Sequence, residues 1–337
     1  MGSNLEMLQS RIRGAITART PMLDARHEGA LRLFNGFLEG CPELAVDLYA
    51  RTAVIYNYAR QPEHGLPAVQ TAMLELNQIL PWVQTILAKT RYGLTEQDRR
   101  GVILQGEQAD RKVRENGVWY ALDLTLHSDA SLYLDTRTLR EWARQNLKGK
   151  TVLNTFAYTG SLGVAACAGG ASQVIQLDLN RNFLNLAKTS YVLNGFPIER
   201  SNFRCGDFFT QIARLRREKA SFDCIFLDPP FFSITNQGMV DLNFQSDRLI
   251  NKVRPLVKDG GLLVVVNNAL YVSGKSFLET LEALAQDGYL SLETIIPVPL
   301  DFTGFPETRL GQPPADPTPF NHSTKICLLR VRRKISS

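Results

Sequence analysis

The chain alternates short, wholly apolar runs with longer amphipathic segments, and that alternation sets the expected architecture. Ile225-Phe226-Leu227 is an apolar run closed by Pro229 and Pro230, the mark of a central parallel strand buried on both faces. The stretch from Thr151, Gln173 to Leu177, the shorter Asn202 to Cys205 and a fifth run at Val264-Val265-Val266 read as further strands. Between them, Val164 to Ala168 and Asn180 to Asn194 read as helices. Beyond the fifth strand the pattern predicts a helix over Ser276 to Asp287, then strands at Tyr289 to Ile296 and Ile326 to Val331, completing a seven-stranded sheet. Strands that alternate with helices belong to an α/β fold with a mostly parallel sheet.

The N-terminal third is patterned differently. Alternating runs at Leu44 to Tyr49 and Ala53 to Tyr58 flank Ala50-Arg51-Thr52, a β-hairpin signal. Gln61 to Gly65 is expected as a loop, Ala68 to Leu80 as a helix and Trp82 to Lys89 as a strand, and linking strands end near Leu126. Residues 1 to about 28 read as a polar helix or arm carrying Arg11, Arg13 and Arg19. Three segments follow: a helical arm over 1–28, a small α+β domain over 29–127 and the α/β domain over 128–337. Pro297 to Pro319 is rich in Pro and Gly and is expected as a long loop; such loops inside compact domains are usually functional.

The candidate chemistry sits at the strand ends. In Asp228-Pro229-Pro230-Phe231 the two prolines stop the ladder and hold Asp228 at the carboxyl edge of the sheet, where open α/β sheets bind ligands. Phe231 can stack on a flipped-out base while Asp228 or a prolyl carbonyl accepts hydrogen bonds from its edge; the alternative is a strand-ending turn with core aromatics. Upstream, Phe156-Ala157-Tyr158-Thr159-Gly160-Ser161-Leu162-Gly163 runs from a strand into a glycine-containing turn, where backbone can approach a ligand closely. Asp178 ends the next strand and is placed to accept ribose hydroxyls; Asp207 and Phe208 end the third and suit the amino group and face of an adenine. Either Asp could instead cap a helix. Taken in order, the four ends fit S-adenosyl-L-methionine better than a dinucleotide, whose Gly-x-Gly-x-x-Gly turn would need glycine where Tyr158 stands.

Composition narrows the class. The 337 residues allow two sizeable cores, and 44% hydrophobic with 21% charged residues is ordinary for a globular protein. No apolar run reaches the roughly 18 residues of a membrane span, so no membrane association is expected. Five cysteines, Cys41, Cys167, Cys205, Cys224 and Cys327, without close pairing indicate a reducing, cytoplasmic setting. No Cys/His cluster has zinc spacing, so no metal is expected. The net charge of +5 alone does not declare a nucleic-acid binder. Arg137, Arg140, Arg144 and Lys148 nevertheless recur at helical spacing, and Lys325, Arg330, Arg332, Arg333 and Lys334 cluster in the tail; each group is a candidate phosphate contact or a solvated face.

From Arg32 to Lys334 the sequence resembles large-subunit ribosomal RNA methyltransferases related to the cytosine-carbon-5 enzyme and to the guanine-nitrogen-7 half of the bifunctional 23S enzyme. Carrying the resemblance are Arg32 to Gly40, Ala45 to Tyr49, Glu115 to Tyr120, Tyr133-Leu134-Asp135-Thr136-Arg137, Phe156 to Gly160, Asp178, Asp207 and Asp228-Pro229-Pro230. It implies a Rossmann-like class I methyltransferase fold behind a small α+β domain, with S-adenosyl-L-methionine as cofactor and RNA as substrate. It further implies a cofactor site of Phe156, Tyr158, Gly160, Gly163, Asp178, Leu179, Asp207, Phe208 and Asp228, with Tyr133, Asp135 and Arg137 closing over it, and a base held by Asp228, Pro229, Phe231 and Asn267. The family's separate N-terminal RNA-binding barrel is not expected, since fewer than 32 residues precede the match. Target affinity is then expected from the small domain and the catalytic face. Methylation at pyrimidine carbon-5 needs a thiolate to add to the ring, and the cytosine enzymes carry a Cys after the fifth strand. Here Asn267-Asn268 stands there, which resembles the guanine-nitrogen-7 half, although two Asn also suit a simple turn. A nicotinamide oxidoreductase and a non-catalytic RNA-binding paralogue are the alternatives from other classes.

Overall fold

The computed structural model describes residues 2–333, with side chains from Leu5 onward. Two compact units divide the chain at Leu134/Asp135, and Pro299–Gln312 belongs to the first of them.

The first unit is a five-stranded sheet of β1 (Ala30–Asn35), β2 (Leu44–Tyr49), β3 (Thr52–Asn57), β4 (Thr85–Thr90) and β5 (Val102–Gln105), in that order. All its pairs are antiparallel except β3–β4, which are parallel because a helix crosses between them. Of the two long helices here, α1 (Gly2–Arg19) and α2 (Pro62–Ile79), the second starts in the segment expected as a loop. Pro62 stands in its first turn, where the missing amide costs nothing. A two-stranded hairpin, β6 (Lys112–Glu115) and β7 (Val118–Ala121), and the short helix α3 (Glu96–Arg100) complete this part.

Two expectations change in this unit. Of the polar helix or arm expected at the N-terminus, the structure has the helix, but it is not polar throughout: Leu8, Ile12, Ala15 and Ile16 recur at helical spacing and enter the same core as Leu33, Val46, Ile55 and Ile86. The span from Pro297 to Pro319 is not one loop. Its middle contains the helix Leu300–Thr303 and is tied to the first unit by buried polar groups. Arg19, wholly buried, donates to Glu39 Oε1 at 2.7 Å and to the Asp301 carbonyl at 2.8 Å. Thr308 donates to the same Glu39 oxygen at 2.6 Å, and Asp301 accepts from the Arg32 amide at 2.8 Å.

The second unit holds seven strands: β8 (Thr151–Thr155), β9 (Gln173–Asp178), β10 (Phe203–Cys205), β11 (Phe222–Leu227), β14 (Val257–Asn267), β15 (Leu290–Ile295) and β16 (Lys325–Val331), with the separate hairpin β12 (Phe232–Thr235) and β13 (Gly238–Asp241) between β11 and β14. The sheet order is β10-β9-β8-β11-β14-β16-β15, parallel from β10 to β14 and antiparallel on both sides of β16. Helices α4 (Arg137–Asn146), α5 (Ser161–Ala168), α6 (Arg181–Leu193), α7 (Phe208–Arg217), α8 (Ser246–Val253) and α9 (Gly274–Ala285) accompany it. The chain runs outward from β8 to β10, then returns to the other flank of β8 as β11. The carboxyl ends of β8 and β11 therefore flank the point where strand order reverses, which is where such sheets bind ligands. No described helix is long and apolar enough to cross a membrane.

Candidate active site

Register brings the chemistry-bearing ends level. Thr155 pairs with Leu227 on one side and Leu177 on the other, and Cys205 pairs with Asp178. One residue further on, Phe156, Asp228 and Asp178 leave the sheet side by side. The chain does so under strain: Phe156 and Tyr158 sit at φ +51° and +52°, followed by Gly160 at +77°. A left-handed conformation costs a side-chain-bearing residue about 1–2 kcal/mol, so something must hold it. The Ala157 amide donates to the Leu177 carbonyl at 2.8 Å, the Tyr158 amide to Asp178 Oδ2 at 2.7 Å, and the Gly160 amide to the Ala157 carbonyl at 2.7 Å. Strain kept at a strand end in this way is typical of binding sites. The Phe156 ring stacks on Phe208 at 4.5 Å, and Tyr158 meets Phe183 edge-on at 4.5 Å.

The two glycines of the turn differ in kind. Gly160 provides the left-handed start of α5. Gly163, expected against a ligand, instead faces the sheet: a Cβ there would stand 2.1 Å from Gln176 Nε2. Gln176 is buried, donates to the Gly160 carbonyl at 3.1 Å and accepts from Asn154 at 2.8 Å. The glycine is needed for packing under the turn.

Both aspartates at the strand ends are partly buried. Burial pushes the Asp178 carboxyl upward, while amides of Asn180, Tyr158 and Leu179 pull it back. After the bonds to Tyr158 and to the Asn180 amide at 2.8 Å, its oxygens keep lone pairs for neutral donors. Leu179 beside it is exposed. Asp207 does cap a helix, accepting from the Thr210 amide at 3.1 Å at the start of α7. Its second oxygen accepts the Thr235 hydroxyl at 2.6 Å, a contact no sequence spacing announces.

At β11, burial raises the Asp228 carboxyl to about 7, with a smaller contribution from the charge of Asp135. Asp135 accepts the Thr324 hydroxyl at 2.8 Å. Pro229 is buried, while the Phe231 ring is 42% exposed. Asn267, expected to hold a base, is committed to the fold. Its amide nitrogen donates to the Leu242 carbonyl at 3.2 Å and Ser246 Oγ at 3.1 Å, and its oxygen accepts from the Ala269 amide at 3.0 Å. The turn-forming role prevails there. Its neighbour Asn268 carries a buried Oδ1 without a protein partner. Beneath the same turn Lys325 is fully buried, its Nζ donating to the carbonyls of Ala269 at 3.0 Å and Ser323 at 2.5 Å. Tyr133 lies in the first unit, exposed, with its hydroxyl on Asp129 Oδ2 at 3.2 Å. Arg137 is partly buried at the start of α4.

Much of each basic cluster is engaged within the fold, while Lys148 and Arg332 are exposed. Arg140 is buried and donates to Thr136 Oγ1 at 2.9 Å, Arg144 pairs with Glu141 at 2.7 Å, and α4 ends before Lys148. In the tail, Lys325 is internal, Arg330 pairs with Glu293 at 3.0 Å, and Arg333 binds the carbonyls of Val257 and Pro255 at 3.0 Å; Lys334 lies outside the described residues. All five cysteines are free thiols. Cys224 is buried within β11 and Cys327 within β16, and burial pushes both thiols up, Cys327 to about 12. Neither can supply a thiolate near neutral pH. His322 accepts the Thr324 amide at 3.0 Å, a loop-anchoring role.

A family model of S-adenosylmethionine-dependent methyltransferases matches residues 60–295. Among curated proteins, the chain is 27% identical over 309 residues to YwbD of Bacillus subtilis, provisionally named a ribosomal RNA large subunit methyltransferase, covering 88% of this chain and 77% of that one. It is 31% identical over 297 residues to ribosomal RNA large subunit methyltransferase K/L of Shewanella amazonensis, covering 84% of this chain but only 40% of the relative. The solved structure of SMU.776 complexed with SAH, provisionally named a methyltransferase, superposes with a TM-score of 0.83 over 97% of this chain and 82% of that chain, at 21% identity, and so shares its fold. With two thirds of its length inside the family model and strand ends ordered as described, the chain belongs to the S-adenosylmethionine-dependent methyltransferases.

Proposed function

We propose that this enzyme methylates large-subunit ribosomal RNA at a purine ring nitrogen, guanine nitrogen-7 being the atom favoured. The observation that carries the reading is the rim formed by β11 and β14: a carboxyl held near neutrality at Asp228, an exposed ring at Phe231, and no cysteine at either strand end. A ring nitrogen attacks through its own lone pair, so such a rim needs to position the base and nothing more. The names of the relatives from Bacillus and Shewanella support ribosomal RNA as the substrate class.

The residues present fit the cofactor. Asp178, half-buried beside the strained turn, offers carboxylate lone pairs that can accept two hydroxyls of a ribose. Phe156, half-buried, offers aromatic surface, Phe208 is packed in the core behind its ring, and Asp207 offers an acceptor for an adenine amino group, with Tyr158, Gly160, Leu179, Asp135 and Arg137 around them. When bound, S-adenosylmethionine supplies an electrophilic methyl group on its sulfonium. The protein's work is then geometric. Phe231 stacks on the base, worth about 1–3 kcal/mol. Ionised, Asp228 accepts hydrogen bonds from the base edge. The first unit contributes RNA affinity.

The test is direct. Ribosomal RNA from a strain lacking the gene should miss one N7-methylguanosine, read as a lost borohydride- and aniline-sensitive cleavage, and the purified enzyme should restore it. A missing 5-methylcytosine instead, or an unchanged modification pattern, would overturn the assignment.

A further inference from the structure

The hairpin β12–β13 follows directly on Phe231 and is folded back toward the strand end that bears Asp207. Alternation along β12 explains how: Phe232 and Ile234 point outward and are 50% and 68% exposed, while Ser233 and Thr235 point the other way. Thr235 Oγ1 donates to Asp207 Oδ2 at 2.6 Å, lies 3.2 Å from the Gly238 carbonyl and accepts from the Gln237 amide at 3.3 Å. Gly238 rests on the Phe209 ring so closely that a Cβ would come within 2.5 Å of it. At the other end, the Leu242 amide donates to the Phe231 carbonyl at 3.0 Å and closes the hairpin on the base-stacking residue. One carboxylate thus caps α7, latches the hairpin and, on the reading above, faces the adenine.

We propose that Thr235 is a positioning residue: its hydroxyl on Asp207 latches β12–β13, and cofactor binding at Asp207 tightens that latch and sets Phe231 and Phe232 for the incoming base. The proposal rests on the assignment of Asp207 to the cofactor. A donor arriving at Asp207 fixes the orientation of its carboxylate, so the Thr235 bond holds better with cofactor bound than without. By linkage, whatever holds the hairpin in place then favours the cofactor equally. Thr235 and Gly238 take part through contacts 28 and 29 residues from Asp207 and Phe209 in the chain, so no local motif carries them.

Hydrogen–deuterium exchange of the peptide spanning 230–242, with and without S-adenosylhomocysteine, tests this without any RNA, and calorimetry on the same samples reports cofactor affinity. In the wild type, bound S-adenosylhomocysteine should slow hairpin exchange by about tenfold. T235S should keep that protection, while T235V should lose it and G238A, which pushes the hairpin off Phe209, should lose it too. Protection in T235V equal to the wild type, or an unprotected wild-type hairpin while calorimetry shows the ligand bound, would overturn the latch alone. Failure of the wild type to bind S-adenosylhomocysteine would overturn the cofactor assignment and the latch with it.

Discussion

Asp228 should make this enzyme less stable as pH rises, and replacing it with Asn should remove that dependence. Its carboxyl titrates near 7 in the folded chain against 3.8 as the ordinary value. Because the folded value is the higher one, the stabilisation from the protonated form is complete below about pH 3.8 and is lost as pH rises through 7. Each unit of displacement is worth 1.36 kcal/mol, and evaluating the linkage between pH 5 and pH 8 gives a loss of about 2–3 kcal/mol from this residue alone. D228N keeps the shape and carries no charge at either pH. Urea denaturation of wild type and D228N at both pH values isolates the residue, because the other titrating groups cancel in the difference of differences. D228N should gain about 2–3 kcal/mol on the wild type in going from pH 5 to pH 8, and its methyl transfer should fall at both. Equal pH dependence of the two proteins would refute a carboxyl raised by burial at this strand end.

Further outcomes follow from the same geometry. D178A should weaken S-adenosylhomocysteine binding by at least about tenfold, since hydrogen bonds to a charged acceptor are worth about 1.5–3 kcal/mol each; unchanged affinity in calorimetry would remove Asp178 from the cofactor site. F231A should spare cofactor affinity and depress transfer by about 1–3 kcal/mol of lost stacking, and a parallel loss of cofactor binding would make Phe231 a packing residue instead. A variant with all five cysteines changed to Ser or Ala should still transfer methyl groups once corrected for stability; a covalent adduct with 5-fluorocytosine RNA that disappears with one Cys→Ala change would restore the carbon-5 chemistry. G163A should destabilise the fold by about 1–3 kcal/mol in thermal denaturation, because the new Cβ meets Gln176.

The amino-acid sequence by itself determined the mostly parallel sheet, its seven strands and the order in which Phe156, Asp178, Asp207 and Asp228 arrive at its edge. These are local facts: apolar runs bounded by Pro, Gly or Asp are short-range patterns, and parallel strands joined by helices leave little choice of edge. Tertiary structure alone decided what each polar group does once there. Asn267 and Asn268 are adjacent in sequence, yet the first is consumed by Leu242, Ser246 and Ala269 while the second keeps a buried oxygen unpartnered. Arg140 and Lys325 belong to runs spaced like a basic surface, but burial and partners such as Thr136 and the Ala269 carbonyl turn them inward, and Arg144 pairs with Glu141 along its own helix. The N-terminal helix was legible, but its burial, and the place of residues 299–312, were not, for the same reason. Their place is fixed by the Ile12 and Ile16 face and by Arg19 with Glu39 and Asp301, partners separated by up to 282 residues. Periodicity reports which side of an element is apolar; it carries no record of which distant group will meet its polar side, and that pairing is what separates a ligand-binding residue from a structural one.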